Sequence, residues 1–406
     1  MVTRLLGWVF LCFALLIAGA VLYLESGRGN VPIIFSPVQL LNATWYSYKN
    51  EYVEAGSYRT LDPQRGNVTT SEGQSYTMLR AVWMGDKQTF DGAWHWTQTN
   101  IYHTGDHLFA WLWGKQPDGS YGVLISQGGE TSASDADTDI ALSLVFAYAR
   151  WQDPKYLDSA RGIIGDIWNK EVVEVGPTPY LTADNIETTS GNTYAAINPS
   201  YLNPAADRIF ALVDPAHPWS KLADSSYTVL QKSISSTLDK KLSANLPPDW
   251  VEINRATGAL IAIPGGADTT NFGFDALRVP YHLALDWAWF KDPRDITTLN
   301  MLSFLSSQWS ENHTLGSTYT HDGTVVIASE APAMYGGTVG YFMLAAPNLA
   351  QDVYSQKLVF LYDPGADKWK KSLSYYDDNW AWFGIALYNN LLPNLAASIP
   401  MNAFKQ

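Results

Sequence analysis

Apolar residues recur at three- and four-residue intervals along most of this 406-residue chain, the spacing of helices that bury one face. Ile140, Leu144, Ala147 and Trp151 mark one such stripe, and Met78, Leu79, Val82 and Trp83 another. The pattern predicts helices near residues 38–54, 72–84, 87–102, 135–151, 154–170, 202–213, 217–242, 275–290, 293–311, 331–347 and 376–391. Strict alternation is scarce, and only residues 324–328 and 251–263 read as small strands or a hairpin. Stretches rich in Gly, Asn, Thr and Pro separate helix pairs. One of them, Val175 to Pro199, has the length of a functional loop. Paired helices without a fixed sequence repeat define a large helical domain. Periodicity alone says no more.

The N-terminus departs from this pattern. Leu5 to Leu24 is uninterrupted apolar sequence, and about 20 such residues match the hydrocarbon thickness of a bilayer. We read residues 1–24 as a signal-anchor helix with Arg4 on the cytoplasmic side, which puts the rest of the chain outside the cytoplasm, periplasmic or extracellular. Ala18-Gly19-Ala20 is the alternative, a cleavage site that would release a secreted protein. Residues 25–36 read as a linker and 37–406 as one catalytic domain. The single cysteine, Cys12, falls in the apolar stretch, so the domain has neither disulfide nor thiol chemistry to offer.

Two helix starts carry acids where the apolar stripe begins. Ser134-Asp135-Ala136-Asp137-Thr138-Asp139 opens the helix of Ile140, with Ser134 and Asp137 at capping-box spacing. Ser71-Glu72-Gly73-Gln74 opens the helix of Met78 in the same way, with Glu72 at the first helical position. Acids in a first turn usually only complement the helix dipole. Two such ends, each near tryptophans, point further, to a glycan-cleaving site. The net charge of −13 and the lack of a basic run exclude nucleic acid as a partner. Aromatic residues make up 14% of the chain, with 17 Trp and 23 Tyr, a supply of flat faces for sugar rings as well as for a core. His103 and His107 lack an HExxH context, no phosphate loop or dinucleotide fingerprint occurs, and we expect neither metal nor cofactor.

The segment from Ala133 to Trp151 resembles the signature of glycoside hydrolase family 8, and Thr70 to Tyr76 resembles that family's general-acid motif. Ala110-Trp111-Leu112-Trp113-Gly114-Lys115, Asn198-Pro199-Ser200-Tyr201-Leu202, Pro248-Asp249-Trp250-Val251 and Phe274-Asp275-Ala276-Leu277-Arg278 are further likenesses, in the family's order. The resemblance implies an all-α fold, an (α/α)6 barrel with small β elements. It also implies inverting hydrolysis by an acid and a base about 6.5–9.5 Å apart with water between them. By pattern the chain looks most like endoglucanases that accompany bacterial cellulose synthesis. That implies an endo-β-1,4-glucanase, a monomer acting on a β-glucan, with a cellulose synthase complex as a further partner.

Carried over residue by residue, the resemblance makes Glu72 the general acid, Asp275 the general base, and Asp135 the acid beside the sugar at the cleavage point. Asp137 supports Asp135, while Trp113, Tyr201, Tyr375 and Tyr376 line the cleft. Arg278, one turn from Asp275, would keep that carboxylate ionised. A helix N-terminus lowers a carboxyl pKa, so Glu72 can be an acid only if burial or the charges of Asp135 and Asp137 outweigh the dipole. Asp139 is expected at the solvent or the cap. Thr77, where relatives carry Gly, is expected to narrow the cleft floor. Phe274 replaces the family's usual Tyr.

The residues alone leave plainer readings open. Glu72 can be an ordinary first-turn acid, Asp275 with Arg278 a surface ion pair, and each aromatic a core residue. The same scaffold also serves xylanases, chitosanases and lichenases. A reading from another class is a non-catalytic glycan-binding subunit of a polysaccharide-secretion complex.

Overall fold

The computed structural model describes residues 35–405 apart from positions 240 and 267. The apolar stretch of residues 5–24 and most of the linker lie outside the described residues. Among the described residues no helix is long and apolar enough to cross a membrane.

Fourteen α-helices occur among the described residues. The first five are α1 Pro37–Tyr52, α2 Ser71–Met84, α3 Lys87–Asn100, α4 Ser134–Trp151 and α5 Pro154–Glu171. A single turn, α6 Ile186–Thr189, precedes α7 Pro204–Val213, α8 Trp219–Ser235, α9 Val279–Phe290 and α10 Pro293–Leu299. The last four are α11 Ser303–Asn312, α12 Pro332–Leu344, α13 Pro347–Val353 and α14 Tyr375–Tyr388.

Burial sorts these helices into two rings. In α4 every residue from Ala136 to Ala147 is buried, and in α12 every residue from Ala333 to Phe342. A helix covered on all sides belongs to the interior. In α5 the buried set is Tyr156, Leu157, Ala160, Ile163, Ile164, Ile167, Trp168 and Glu171, one stripe of an amphipathic outer helix. Helices α2, α4, α7, α9, α12 and α14 pack each on the next as the inner ring. The ring closes where Arg80 of α2 meets Asp378 of α14 at 2.9 Å and Tyr76 lies edge-on to Trp380 and Phe383. Helices α3, α5, α8, α10, α13 and α1 back the inner six from outside. This is the double-ringed helical barrel that the resemblance implied.

Tight contacts set the ring's diameter. A Cβ at Gly336 would lie 1.9 Å from the Trp380 carbonyl oxygen, and one at Gly337 2.3 Å from that of Leu277. The run from Gly336 to Gly340 is therefore a packing element, where α12 comes against α14 and the turn before α9. The closure at Arg80 is tight as well: its guanidinium is fully buried among the rings of Trp45, Tyr48 and Trp382.

Five small antiparallel sheets decorate the loops among the described residues. They are β1 Thr69–Thr70 with β2 Leu112–Lys115 and β3 Tyr121–Val123, and β4 Val172–Val175 with β5 Thr178–Leu181. A third joins β6 Tyr194–Ile197, β7 Val251–Asn254 and β8 Leu260–Ile261. The last two are β9 Thr318–Tyr319 with β10 Val325–Ile327, and β11 Tyr362–Asp363 with β12 Lys368–Trp369. Both strand regions expected from alternation thus form strands. The expected loop from Val175 to Pro199 is instead largely ordered, holding β5, α6 and β6.

Three helix boundaries also differ from expectation. Helix α8 stops at Ser235, where Ser236 turns extended (ψ 151°). The stretch 293–311 breaks after Leu299, a turn that sends both Leu299 and Leu302 into the core. Residues 276–278 form a separate 3-10 turn, because Pro280 brings no N–H to extend α9 backwards.

Candidate active site

The inner helices present the same end to one side of the barrel. Glu72 and Asp135 sit in the first turns of α2 and α4, and Tyr375 opens α14. Tyr201 lies just before α7, and Asp275 and Arg278 just before α9. Five helix N-termini, the positive ends of their dipoles, therefore surround one cluster of acids.

Neither expected capping box forms: both serines are buried, the Ser71 hydroxyl has no partner and that of Ser134 is committed elsewhere. Thr70 caps α2 by accepting from Gly73 N at 3.0 Å. Gln74 reaches sideways instead, accepting from Thr60 N and donating to Ala93 O and Thr97 Oγ1. Helix α4 has no side-chain cap, and Ser134 donates to Thr182 O at 2.6 Å. With Thr70 as cap, Glu72 takes the second helical position rather than the first.

At the centre stands Arg278, whose side chain is only 3% exposed. Its Nη1 lies 2.8 Å from Asp135 Oδ2 and 3.3 Å from Glu72 Oε2, and its Nη2 2.6 Å from Asp275 Oδ1. One guanidinium thus serves three carboxylates, which rules out a surface ion pair. The two contacts and the width of the guanidinium hold the bound oxygens of Glu72 and Asp275 within about 8 Å, which overlaps the spacing of inverting enzymes. Tyr375 donates its hydroxyl to the other oxygen of Glu72. Trp250 Nε1 donates to Asp275 Oδ2 at 3.0 Å, so Asp275 has a donor on each oxygen.

Burial raises the Glu72 pKa to about 7; Arg278 pulls against it, and the charges of Asp135 and Asp275 add to it. Burial thus outweighs Arg278 and the Tyr375 hydrogen bond, as an acid role requires, and of the two expected helpers Asp135 is the one that acts. Burial raises the Asp135 pKa as well, against the pull of Arg278.

Of the residues assigned from sequence, Glu72, Asp135, Asp275, Arg278, Tyr201 and Tyr375 come together here. The Arg278 guanidinium lies 5.1 Å from the centre of the Tyr201 ring, which meets Trp250 edge-on. Tyr376 is half-buried and donates to Phe274 O at 2.5 Å, beside an exposed Phe274 ring. Trp113 belongs to a separate cluster: Arg59 covers its ring, Tyr121 stacks on it at 5.4 Å and Trp96 abuts its edge. Tyr121 is the exposed member of that cluster.

Two expectations fail because Asp139 and Thr77 stand beyond the first turns of their inner helices, where side chains point into the packed interior, whereas Asp137 keeps its place behind Asp135. Asp137 is fully buried and accepts from Phe109 N at 3.2 Å, so it cannot touch a sugar. Asp139 is buried rather than solvent-facing. It lines a cavity of about 20 Å³, room for about one water, beneath Asp135 and Arg278 with His282 and Tyr281. Thr77 faces away from the cleft, bonded to Tyr48 and Thr60 hydroxyls at 2.8 and 2.7 Å.

The structure adds Asp249 and Trp250, whose segment carried a resemblance but no role. Asp249 Oδ1 gathers the backbone N–H groups of Gly273, Asp275 and Ala276 at 3.1, 3.2 and 2.7 Å, fixing the turn that carries Asp275. Gly273 is required there, since a Cβ would lie 2.7 Å from Asp249 Oδ2. Burial and the charge of Asp275 raise the Asp249 pKa to about 7.

A helical double ring with an arginine-bridged acid cluster at one mouth defines a class of glycan hydrolase, and comparison gives the family. The model of "Glycosyl hydrolases family 8" matches residues 33–382, and the chain belongs to this family. It is 30% identical over 332 residues to a probable endoglucanase of Novacetimonas hansenii, covering 78% of this chain and 88% of that protein. It is 29% identical over 348 residues to the endoglucanase of Escherichia coli K12, covering 84% and 85%. Among solved structures it resembles an endo-1,4-D-glucanase from Vibrio fischeri ES114, with TM-score 0.70, 26% identity and coverage of 86% of this chain and 94% of that one. The helical core, the double ring and the hydrolase class inferred from sequence all stand.

Proposed function

We propose that this protein is an inverting endo-β-1,4-glucanase that cuts internal bonds of cellulose or a closely related β-glucan. The observation that carries the reading is the Arg278 cluster, which holds a carboxyl with a pKa near neutrality opposite a carboxylate with a donor on each oxygen. Glu72 delivers its proton to the glycosidic oxygen as the bond to the anomeric carbon breaks. Asp275 takes a proton from the water that attacks the same carbon from the other face, so the product carries the opposite anomeric configuration. Asp135 faces the sugar ring at the point of cleavage and carries negative charge toward the cationic transition state. Tyr201, Tyr376 and the exposed Phe274 ring offer faces and hydroxyls to neighbouring sugars. Trp113 with Tyr121 forms a more distant platform.

The same proposal includes export. The apolar N-terminus holds the domain at the outer face of the cytoplasmic membrane as a monomer, or is cleaved to release it, and an anchored enzyme is suited to trimming a polymer as a cellulose synthase complex extrudes it. The endoglucanase relatives support the glucan over xylan or chitosan. Reducing ends and viscosity are to be measured on carboxymethylcellulose, xylan and chitosan. An early fall in viscosity with carboxymethylcellulose alone is expected. Preferential cleavage of either other polymer overturns the substrate, and no cleavage of any of them overturns the reading in favour of a glycan-binding subunit.

A further inference from the structure

Behind Asp135 lies a second pair of acids that the hydrolytic reaction does not use. Asp137 and Glu171, the last residue of α5, are both fully buried and their carboxyl groups lie within hydrogen-bonding reach of each other. One oxygen of each is supplied from elsewhere: Phe109 N donates to Asp137 Oδ1, and Ser132 Oγ donates to Glu171 Oε1 at 2.5 Å. The others, Asp137 Oδ2 and Glu171 Oε2, have no donor in the structure. Two buried carboxyl groups within reach of each other, each with an oxygen lacking a donor, are satisfied by one proton between them and are otherwise an uncompensated repulsion. The charged groups acting on the pair, Asp135 from α4 and Asp184 from the segment after β5, are negative. Glu171 also occupies the carbonyl end of its helix, which disfavours an anion.

The pair joins the segments that orient Asp135. Ser132 Oγ accepts from Asn185 N at 2.9 Å, and Asn185 Oδ1 accepts from Ser132 N at 3.1 Å. Phe109 leads into the Ala110–Trp113 segment that pairs with the entry to α2. The start of α4, which lacks a side-chain cap of its own, is thus tied to α5, to the 185 turn and to the 109 segment through one carboxyl–carboxylate contact.

We propose that Asp137 and Glu171 share a single proton and that this pair is the positioning element that keeps Asp135 on Arg278. Burial and the neighbouring acids raise the pKa of both carboxyls, that of Asp137 the further, in line with a proton retained on the pair at neutrality. An unfolded chain releases that proton above about pH 4–5. The native state therefore holds one more proton, and this contribution to stability declines as pH rises from there through neutrality.

The role in catalysis rests on the glucanase reading, whereas the proton does not, so the test has two arms. The pH dependence of the unfolding constant is to be measured between pH 5.5 and 7.5 for wild type and Glu171→Gln, whose amide supplies the missing hydrogen without titrating. The variant is expected to release about one proton fewer on unfolding, so its unfolding constant rises by about tenfold less per pH unit. Equal slopes overturn the shared proton. In the second arm, kcat and KM on carboxymethylcellulose at pH 6 are to be compared for Glu171→Ala and Glu171→Gln. Alanine is expected to lower kcat at least tenfold with KM within twofold, and glutamine to restore it. Glutamine no better than alanine, or an alanine variant with wild-type kcat, overturns the positioning role. If the alanine variant does not fold, the kcat of Glu171→Gln decides alone, with a loss of tenfold or more counting against the proposal. Altered slopes in a protein that cleaves no glucan leave the pair in place and remove only the enzymatic reading.

Discussion

Glu72 and Asp275, far apart in sequence, are joined through one cation, Arg278, whose Nη1 lies 3.3 Å from the first and whose Nη2 lies 2.6 Å from the second. A third carboxylate, Asp135, shares Nη1 at 2.8 Å. The cluster therefore has fewer positive charges than acids, and that shortage lets burial set the acidity of Glu72.

Arg278→Gln tests this balance. Removing the central partner of a buried charge cluster is expected to cost about 3–5 kcal/mol of stability, together with a fall in kcat/KM of about 10² or more, the scale of a lost acid–base group. Residual activity carries the sharper information. Arg278 holds the pKa of both Glu72 and Asp135 down, so the alkaline limb of the variant's pH profile should move to higher pH. A limb that stays in place contradicts the coupling.

In the wild-type enzyme Glu72 must be protonated to act, and its pKa is about 7. The kcat/KM on a soluble β-glucan is therefore expected to fall as pH rises through about 7, approaching a tenfold loss per unit above it. Activity that stays level to pH 9 would show that a group with a higher pKa donates the proton.

Trp250 holds one oxygen of Asp275 by a bond of 3.0 Å. Trp250→Phe keeps an aromatic ring and removes the donor. A hydrogen bond to a charged group contributes about 1.5–3 kcal/mol. A drop in kcat of about tenfold or more is expected, with the melting temperature lowered by only about a few degrees. An unchanged kcat would mean that Arg278 alone orients the base.

Much of this was legible in sequence because inner helices announce themselves. A stretch such as Ile140 to Ala147 is too apolar to face water anywhere, and the acids at its start must then mean something local. The family motifs supplied the partners from distant segments. What periodicity could not give was direction at the helix ends. Asp135, Asp137 and Asp139 alternate in sequence, yet a helical turn sends the first to the cleft, the second toward α5 and the third beneath the cluster. Capping was misread because Ser71 and Ser134 fit the pattern equally well whether exposed or buried, and burial here gave Ser134 and Gln74 other partners. Glu171 carried no signal at all, since a lone acid in a helix's last turn resembles any surface residue.

The ring's diameter offers a test of the fold apart from the chemistry. A methyl group at Gly336 would fall 1.9 Å from the Trp380 backbone carbonyl, which cannot move without shifting α14. Overpacking of this kind costs about 1–3 kcal/mol, occasionally more, so Gly336→Ala is expected to lower the melting temperature clearly. Activity should suffer too, because α14 also carries Tyr375 to Glu72. A variant as stable as wild type would mean that α12 and α14 do not approach as closely as described.

The division of labour between the two acids is tested most directly by changing the leaving group. Glu72→Gln and Asp275→Asn are to be compared on carboxymethylcellulose and on a cello-oligosaccharide bearing a 2,4-dinitrophenyl leaving group, which departs without protonation. Each variant should lose about 10²–10⁴-fold on the polymer. On the activated substrate Glu72→Gln should recover most of its rate, while Asp275→Asn, still lacking a base for water, should not. Recovery by Asp275→Asn instead, or equal losses by both variants on both substrates, would contradict the assignment of Glu72 as acid and Asp275 as base.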